Sequence, residues 1–243
     1  MTAAPLPKAS RRGLAQEAAD LLREAILAGH FPPGSQLREV ELAASLGVSR
    51  GSVREGLAHL DREGLVRSAW HRGTTVIDVT PQDVDEVYTL RAALDRLAAT
   101  SAQGRATAGQ LDELDALVRE MAVEAGREAA GTRLLALDLA FHDRIYDAAD
   151  NGRLLAAWHA VRSQVHLFQA RRIALGFEHY RARVVDEHRE LAALLRSDDR
   201  ETLARRAEEH VESARCSLLA GRTGFAADRQ GPIVRRRSAG ADD

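Results

Sequence analysis

The chain has 243 residues, enough for two domains, and a formal net charge of −2 that by itself gives no support for nucleic-acid binding. Aromatic residues make up only 4% of the sequence, whereas Ala, Leu, Arg and Glu are abundant, a composition typical of a mainly helical protein. The single cysteine, Cys216, excludes an internal disulfide, and no apolar run is long enough for a signal peptide or a membrane span. We therefore expect a mainly α, cytoplasmic protein with no membrane partner.

The first residues carry several cations, among them Lys8, Arg11 and Arg12. A flexible arm at 1–12 could contact phosphates, but ordinary terminal disorder is the favoured interpretation. The patterns that follow predict one domain at 13–79 and a second at 80–221. The glycine- and arginine-containing residues 222–243 are expected to be a disordered tail.

Residues 37–62 predict two short helices joined by a tight turn. Ala43 is a small residue placed where the two helices cross, and Gly47 provides the positive φ that ends the first helix. Ser49 is positioned as the N-cap of the second helix. The apolar stripe of that helix consists of Val53, Leu57 and Leu60. This order of elements is typical of a helix-turn-helix.

Cationic residues accompany this motif. Arg50 and Arg54 are four residues apart and so share the polar face of the second helix, which suits contact with guanine edges and phosphates. A turn at 71–73 and strand character at 74–79 predict a basic hairpin, or wing. The alternative is a plain helical hairpin whose arginines face solvent, but the turn glycine, the cap and the wing together favour a winged helix-turn-helix that binds DNA.

The segments LREVELAASLGVSRGSVREGLAHLDREGLV and HRGTTV, preceded by AADLLREAILAGHFPPGSQL, resemble the GntR family of bacterial transcription regulators. The resemblance implies that Arg38 holds the DNA backbone and that Gly73 enters the minor groove. It also implies that Arg50 and Arg54 reach DNA from the second helix. The residues expected to contact DNA are Arg38, Ser49, Arg50, Ser52, Arg54, His71, Arg72 and Gly73.

The second helix departs from the family pattern at two glycines. The family often has Thr or Ser followed by Pro where this chain has Gly51-Ser52, and it often has Ala where this chain has Gly56. A glycine inside a helix costs about 1 kcal/mol relative to alanine. Gly51 also removes a possible side-chain contact with the operator.

From Pro81 onward the periodicity is helical throughout. It predicts an all-helical bundle of about six helices, at 81–103, 107–127, 131–149, 152–175, 178–196 and 199–221. Thr80-Pro81, Asn151-Gly152 and Ser197-Asp198 are the start or stop signals.

Five polar residues fall on the apolar faces of these helices: Arg91, Asp138, His142, His188 and His210. Burial of an unpaired charge is costly, so each needs a partner inside the bundle. One carboxylate and three imidazoles suit a divalent cation of the Zn, Ni or Mn class, and Asp-x-x-x-His lets two ligands on one helix reach one ion. Taken singly, each histidine is more simply explained as a hydrogen-bonded core residue.

A second resemblance favours the metal. The segments VYTLRAALDRLAATSA, LDLAFHDRIYDAADNGRL, DEHRELAALL and EEHV are similar to the FCD effector domain, which follows the GntR DNA-binding domain in its largest branch, the FadR-type regulators. The resemblance implies metal ligation by Asp138, His142, His188 and His210, and it implies that Arg91 meets a carboxylate of the effector. At Asp95 the family usually has Glu, which we expect to shift a helix contact and not the site.

The leading hypothesis is a homodimeric, ligand-responsive regulator. The family resemblance implies a short palindromic operator and suggests repression more often than activation. A small organic acid would bind beside the metal and alter operator binding. Two alternatives remain at this point: a metal-dependent enzyme fused to a DNA-binding module, and a regulator whose metal is purely structural.

Overall fold

A computed structural model describes residues 12–70, 72–127, 131–174 and 178–220. These residues form nine α-helices and one small sheet, which confirms a mainly α protein with an N-terminal winged helix-turn-helix and a C-terminal helical bundle. Nearly all of the predicted arm at 1–12, the wing residue His71 and the predicted tail at 222–243 lie outside the described residues.

The N-terminal part consists of three helices and a three-stranded antiparallel sheet. In chain order these are α1 (Arg12–Leu27), β1 (Gln36–Leu37), α2 (Glu39–Leu46), α3 (Arg50–Arg62), β2 (Val66–Ala69) and β3 (Gly73–Val76). The strand order is β1-β3-β2, with Gln36 opposite Thr75 and Val66 opposite Val76. Strand β3 ends at Val76 and not at Val79 as predicted, because Val79 is already buried in the core of the bundle.

Gly56 lies where α1 and α3 cross. A Cβ atom at this position would stand 3.1 Å from the carbonyl oxygen of Ala15 and 3.1 Å from the amide nitrogen of Ala19. Both are backbone atoms, so a side chain at residue 56 would require the two helices to separate slightly. The glycine that departs from the family pattern therefore permits a closer helix crossing.

The C-terminal part consists of six helices: α4 (Pro81–Ala102), α5 (Ala108–Ala125), α6 (Gly131–Ala148), α7 (Gly152–Ala174), α8 (Glu178–Leu195) and α9 (Arg200–Ala220). Each described boundary lies within two residues of the prediction. Helix α4 begins with Pro81 after a capping box in which Thr80 and Asp83 satisfy each other's backbone amides. No helix in the described ranges is both long and apolar enough to cross a membrane.

Helix α7 connects the two parts. Glu63, which follows α3, is held by two hydrogen bonds from Arg23 of α1, at 2.8 and 2.6 Å. It also accepts a 2.8 Å hydrogen bond from the hydroxyl of Ser163 on α7. Leu167, one turn further along α7, packs against the cores of both parts. The end of α3 is thus in direct contact with the bundle.

Candidate nucleic-acid interface and metal centre

The turn between α2 and α3 has the predicted geometry. Gly47 adopts a left-handed conformation with φ of 65°, and its amide donates to the carbonyl oxygen of Ala43. Ser49 is extended, and its hydroxyl accepts a hydrogen bond of 3.1 Å from the amide of Ser52. These two residues orient the N-terminal end of α3 toward solvent.

Three arginines predicted to contact DNA are exposed on this side of the protein. The side chains of Arg38, Arg50 and Arg54 are 64%, 62% and 65% exposed. Glu39 holds Arg54 through two hydrogen bonds of 3.1 and 3.0 Å, and it lies 3.8 Å from Arg50. The hydrogen bond from Arg54 lowers the pKa of Glu39. The sequence analysis did not predict that Glu39 pairs with Arg54, although an acidic residue at the start of α2 was the available signal.

The wing completes this surface. Arg38, Arg50 and Gly73 line one groove between α2, α3 and the hairpin. Gly73 has φ of 77°, and a Cβ atom there would lie 3.2 Å from the side-chain nitrogen of Gln36. Trp70 stands on the hairpin with 88% of its surface exposed. Two acidic residues, Glu39 and Glu41, line the same groove as Arg38 and Arg50.

Ser52 differs from the expectation that it contacts DNA. Its surface is only 5% exposed, and its hydroxyl lies 3.0 Å from that of Ser49. Because it is the third residue of α3, its side chain turns back toward the cap and packs under the turn. Ser52 therefore stabilises the start of the helix, and we leave it out of the interface.

The candidate metal centre lies between α6, α8 and α9. Oδ1 of Asp138 lies 2.9 Å from Nε2 of His188 and 3.4 Å from Nε2 of His142. Nε2 of His210 lies 3.3 Å from Nε2 of His142. The potential ligand atoms of all four residues fall within 4.8 Å of one another. Neighbouring ligands of an ion with bonds of about 2.1 Å stand roughly 3 Å apart, so the spacing suits one ion.

The second ring nitrogen of two histidines is held by an oxygen. Nδ1 of His188 lies 2.6 Å from the carbonyl oxygen of Val184, and Nδ1 of His210 lies 2.9 Å from the carboxylate of Glu187. A proton on Nδ1 leaves the lone pair of Nε2 free, which is how outer hydrogen bonds orient imidazole ligands. Glu187 directly precedes the predicted ligand His188, but its contact with His210 of α9 could not be predicted from the spacing of residues within α8.

His142 is supported by Asp95, and this corrects the expectation that Asp95 affects only a helix contact. Oδ2 of Asp95 lies 3.3 Å from Nδ1 of His142 and 3.4 Å from Nε of Arg91. Its other oxygen accepts a 2.5 Å hydrogen bond from the hydroxyl of Tyr146. Asp95, although shorter than the Glu usual in the family, thus lies next to a candidate metal ligand.

The electrostatics of the cluster suit a cation. Burial would raise the pKa of Asp138, but the nearby His188 and hydrogen bonds from His142 and His188 outweigh it and hold that pKa well below its usual value. The hydroxyl of Tyr180 donates to Oδ2 of Asp138 at 2.9 Å. Burial lowers the pKa of His210 to about 4, so this imidazole is neutral at neutral pH, the form that binds metal.

Arg91 is buried beside the cluster, only 2% exposed. Its guanidinium carbon lies 5.7 Å from the ring centre of Tyr88 and 5.6 Å from that of Trp158. Its charge is balanced by Asp95, through which it reaches His142. The structure therefore brings the predicted effector residue to the site, but with a carboxylate partner already present.

Comparison with known proteins agrees with this architecture. The model of bacterial regulatory proteins of the gntR family matches residues 14–76, and the FCD domain model matches residues 86–213. The Nta operon transcriptional regulator of Aminobacter aminovorans is 33% identical over 153 residues, which cover 60% of this chain and 70% of that protein. The gluconate operon transcriptional repressor of Bacillus licheniformis is 25% identical, with 79% of each protein covered.

Solved structures show the same fold. The structure of McbR/YncC from E. coli superposes with a TM-score of 0.73 at 20% identity, covering 87% of this chain and 99% of that one. Both relatives are named as transcriptional regulators, in agreement with the expectation that this chain is a regulator. The winged helix-turn-helix thus matches the gntR model, and the helical bundle that follows it matches the FCD model. The chain belongs to the GntR family of DNA-binding transcriptional regulators and carries a C-terminal FCD domain.

Proposed function

We propose that this regulator is a homodimeric repressor whose binding to a short palindromic operator is altered by a small organic acid, bound beside a divalent metal ion in the helical domain. The observation that carries the proposal is the convergence of Asp138, His142, His188 and His210 inside the bundle. Such a set is costly to bury without a partner that accepts its lone pairs. The naming of the gluconate operon relative as a repressor favours repression.

At the DNA end, the exposed arginines of α3 contact base edges and phosphates in the major groove. Arg38 contacts the backbone, and the wing with Arg72 and Gly73 approaches the minor groove. Ser49 orients the helix and presents its N-terminal amides to a phosphate. A palindromic site pairs naturally with two copies of the chain related by a two-fold axis.

At the effector end, Asp138, His142, His188 and His210 would hold an ion of the Zn, Ni or Mn class. Such an ion offers positions beyond those filled by the four side chains to oxygen atoms of a ligand. Asp95, Glu187 and the carbonyl of Val184 keep the imidazoles in the required orientation. The positive charge of Arg91 is shared with Asp95 and contributes to an environment suited to an acid.

Helix α7 provides the connection between the two ends. Trp158 of α7 packs 6.3 Å from the ring of His142, while Ser163 and Leu167 of the same helix contact the winged domain. A ligand that favours one position of α7 over another therefore changes the placement of α3. This placement decides whether both recognition helices of the dimer reach their half-sites together.

The proposal is tested by replacing His188, which is fully buried in the site. His188→Ala is expected to lower the metal content of the purified protein and to remove the response of operator binding to acids. His159→Ala, an exposed histidine on α7, is the control and should retain both. His210→Ala, at the edge of the site, replaces His188→Ala if the latter does not fold. Full metal content in both site variants would contradict the proposal.

The burial of the cluster between three helices also favours a purely structural metal. Chelation separates the two roles. Loss of helical circular dichroism on chelation supports a structural role, whereas loss of the acid response with folding intact supports sensing.

A further inference from the structure

Arg172, near the end of α7, is a buried cation. Its surface is only 7% exposed. Its Nη1 donates to the side-chain oxygen of Gln169 at 3.1 Å, and its guanidinium carbon lies 4.9 Å from the ring centre of Tyr180. Its Nε is buried and has no hydrogen-bond acceptor. Among the side chains that the structure describes, no carboxylate forms an ion pair with it.

The neighbouring arginines are different. Arg91 contacts Asp95 at 3.4 Å, and Arg183 contacts Glu187 at 2.6 Å. A buried guanidinium that lacks such a partner carries a large desolvation cost, which an anionic ligand would remove. Arg172 therefore has the burial and the free donor expected of a residue that binds an anionic ligand.

Arg172 and the candidate metal ligands line the same cleft. The cleft is open to solvent, and its empty volume of about 390 Å³ includes part of that opening. Asp138, His210, Gln169 and Arg172 all line this cleft. Tyr180 contacts two of them, since its hydroxyl donates to Asp138 and its ring lies 4.9 Å from the guanidinium carbon of Arg172. Arg91 is not among the residues that line this cleft.

We propose that Arg172 recognises an acidic group of the effector in this cleft, and that the effector is a small dicarboxylic acid. One end of such an acid would bind the metal ion held by Asp138, His142, His188 and His210, and the other would form a charge-assisted hydrogen bond with the guanidinium of Arg172. A monocarboxylic acid can make only one of these two interactions. The inference rests on the proposed function and names the ligand class of the same site.

The test measures the binding of succinate and butyrate, two acids that differ in one carboxylate, to the nickel-loaded full chain by calorimetry. The wild type should bind succinate more tightly than butyrate. Arg172→Met should weaken succinate binding by about 10- to 100-fold and leave butyrate binding nearly unchanged. Arg183→Met is the matched control, since it removes a cation that lies in the same cleft but is already paired.

Arg172→Met should fold normally, because an apolar residue of similar length replaces an unpaired buried charge. If it does not fold, Arg172→Lys takes its place, since lysine keeps the charge and loses the planar fork of donors. Equal loss of succinate and butyrate binding, an equal effect of Arg183→Met, or unchanged succinate binding in the Arg172 variants would overturn the assignment. So would failure of the wild type to bind succinate at millimolar concentration.

Operator binding by the same proteins separates this inference from the proposed function. If Arg172 has no role but an acid still releases the operator, only the present inference fails. If succinate binds in an Arg172-dependent way without changing operator affinity, the acid site stands and the proposed regulatory role fails.

Discussion

Arg54 is an exposed residue of α3 that the sequence analysis predicts to contact DNA. It is exposed on α3 and is held in an extended position by Glu39. Arg54→Ala should weaken operator binding by about 1–3 kcal/mol, because it removes a base or phosphate contact. Fluorescence anisotropy with DNA selected by the wild-type protein measures the effect.

Arg62→Ala provides the control for this prediction. Arg62 is also exposed on α3, but its side chain turns back to the carbonyl oxygen of Ala58 at the far end of the helix. Its removal changes the net charge by the same amount and should have a smaller effect on operator affinity. Equal effects of the two substitutions would show that net charge, and not the position of Arg54, governs binding.

The two unusual glycines of α3 should respond differently to alanine. A Cβ atom at Gly51 meets nothing closer than the hydroxyl of Ser49 at 3.7 Å, whereas one at Gly56 meets backbone atoms of α1 at 3.1 Å. Gly51→Ala should therefore raise the free energy of unfolding by about 0.4–1 kcal/mol. Gly56→Ala should fall short of that gain or destabilise the protein, since α1 must move. Urea unfolding of both variants tests this, and an equal gain would refute the close crossing at Gly56.

At the scale of elements, the contact between Glu63 and α7 is the feature that sequence patterns do not show. Ser163→Ala removes one of the hydrogen bonds that hold Glu63. We expect a loss of about 0.5–2 kcal/mol in the coupling between acid and operator binding, while each binding event alone changes less. The measurement is operator affinity with and without saturating acid. Ser101→Ala on α4 is the control, and an unchanged coupling free energy in Ser163→Ala would exclude this contact from the response.

The helices could be predicted from the sequence because their ends are encoded locally. Thr80 and Asp83 form a capping box, and the side chain of Asn151 accepts hydrogen bonds from the amides of Arg153 and Leu154. The prediction extended β3 to Val79, three residues beyond its end at Val76. Val79 is buried in the core of the bundle, which the local sequence does not show.

The convergence of Asp138, His142, His188 and His210 was also predicted, since Asp138 and His142 are one turn apart and the other two histidines lie on apolar faces. Its surroundings were not. Asp95, Glu187 and Arg172 contact residues on other helices, and the approach of one helix to another leaves no signal in the spacing of either. The same reason explains why Ser52 was assigned to the interface: its position on α3 was correct, but its burial depends on the turn.

At the scale of the whole molecule, stability should depend on pH through buried histidines, among them His166 and His210. Burial, and to a lesser degree the charge of Arg162, lowers the pKa of His166 from 6.5 to about 4. Between these values the unfolded chain binds the proton more readily than the folded protein does. The free energy of unfolding should therefore fall as the pH is lowered from about 6.5 to about 4.

His166→Gln should reduce this loss, as measured by urea unfolding at several pH values. His159→Gln, which replaces an exposed histidine on the same helix, is the control for the substitution itself. A slope in this pH range that is identical in the wild type and in His166→Gln would contradict the assignment.

The chain has two tryptophans, and they lie in opposite surroundings. Trp70 on the wing is almost fully exposed, whereas Trp158 is buried, stacked 4.8 Å from Tyr146 and close to His142. A buried indole emits at shorter wavelength than one in water, so the two emissions are separable without any dye. The protein thus carries an intrinsic fluorophore in each half, and one spectrum recorded during a titration can follow the winged domain and the surroundings of His142 at the same time.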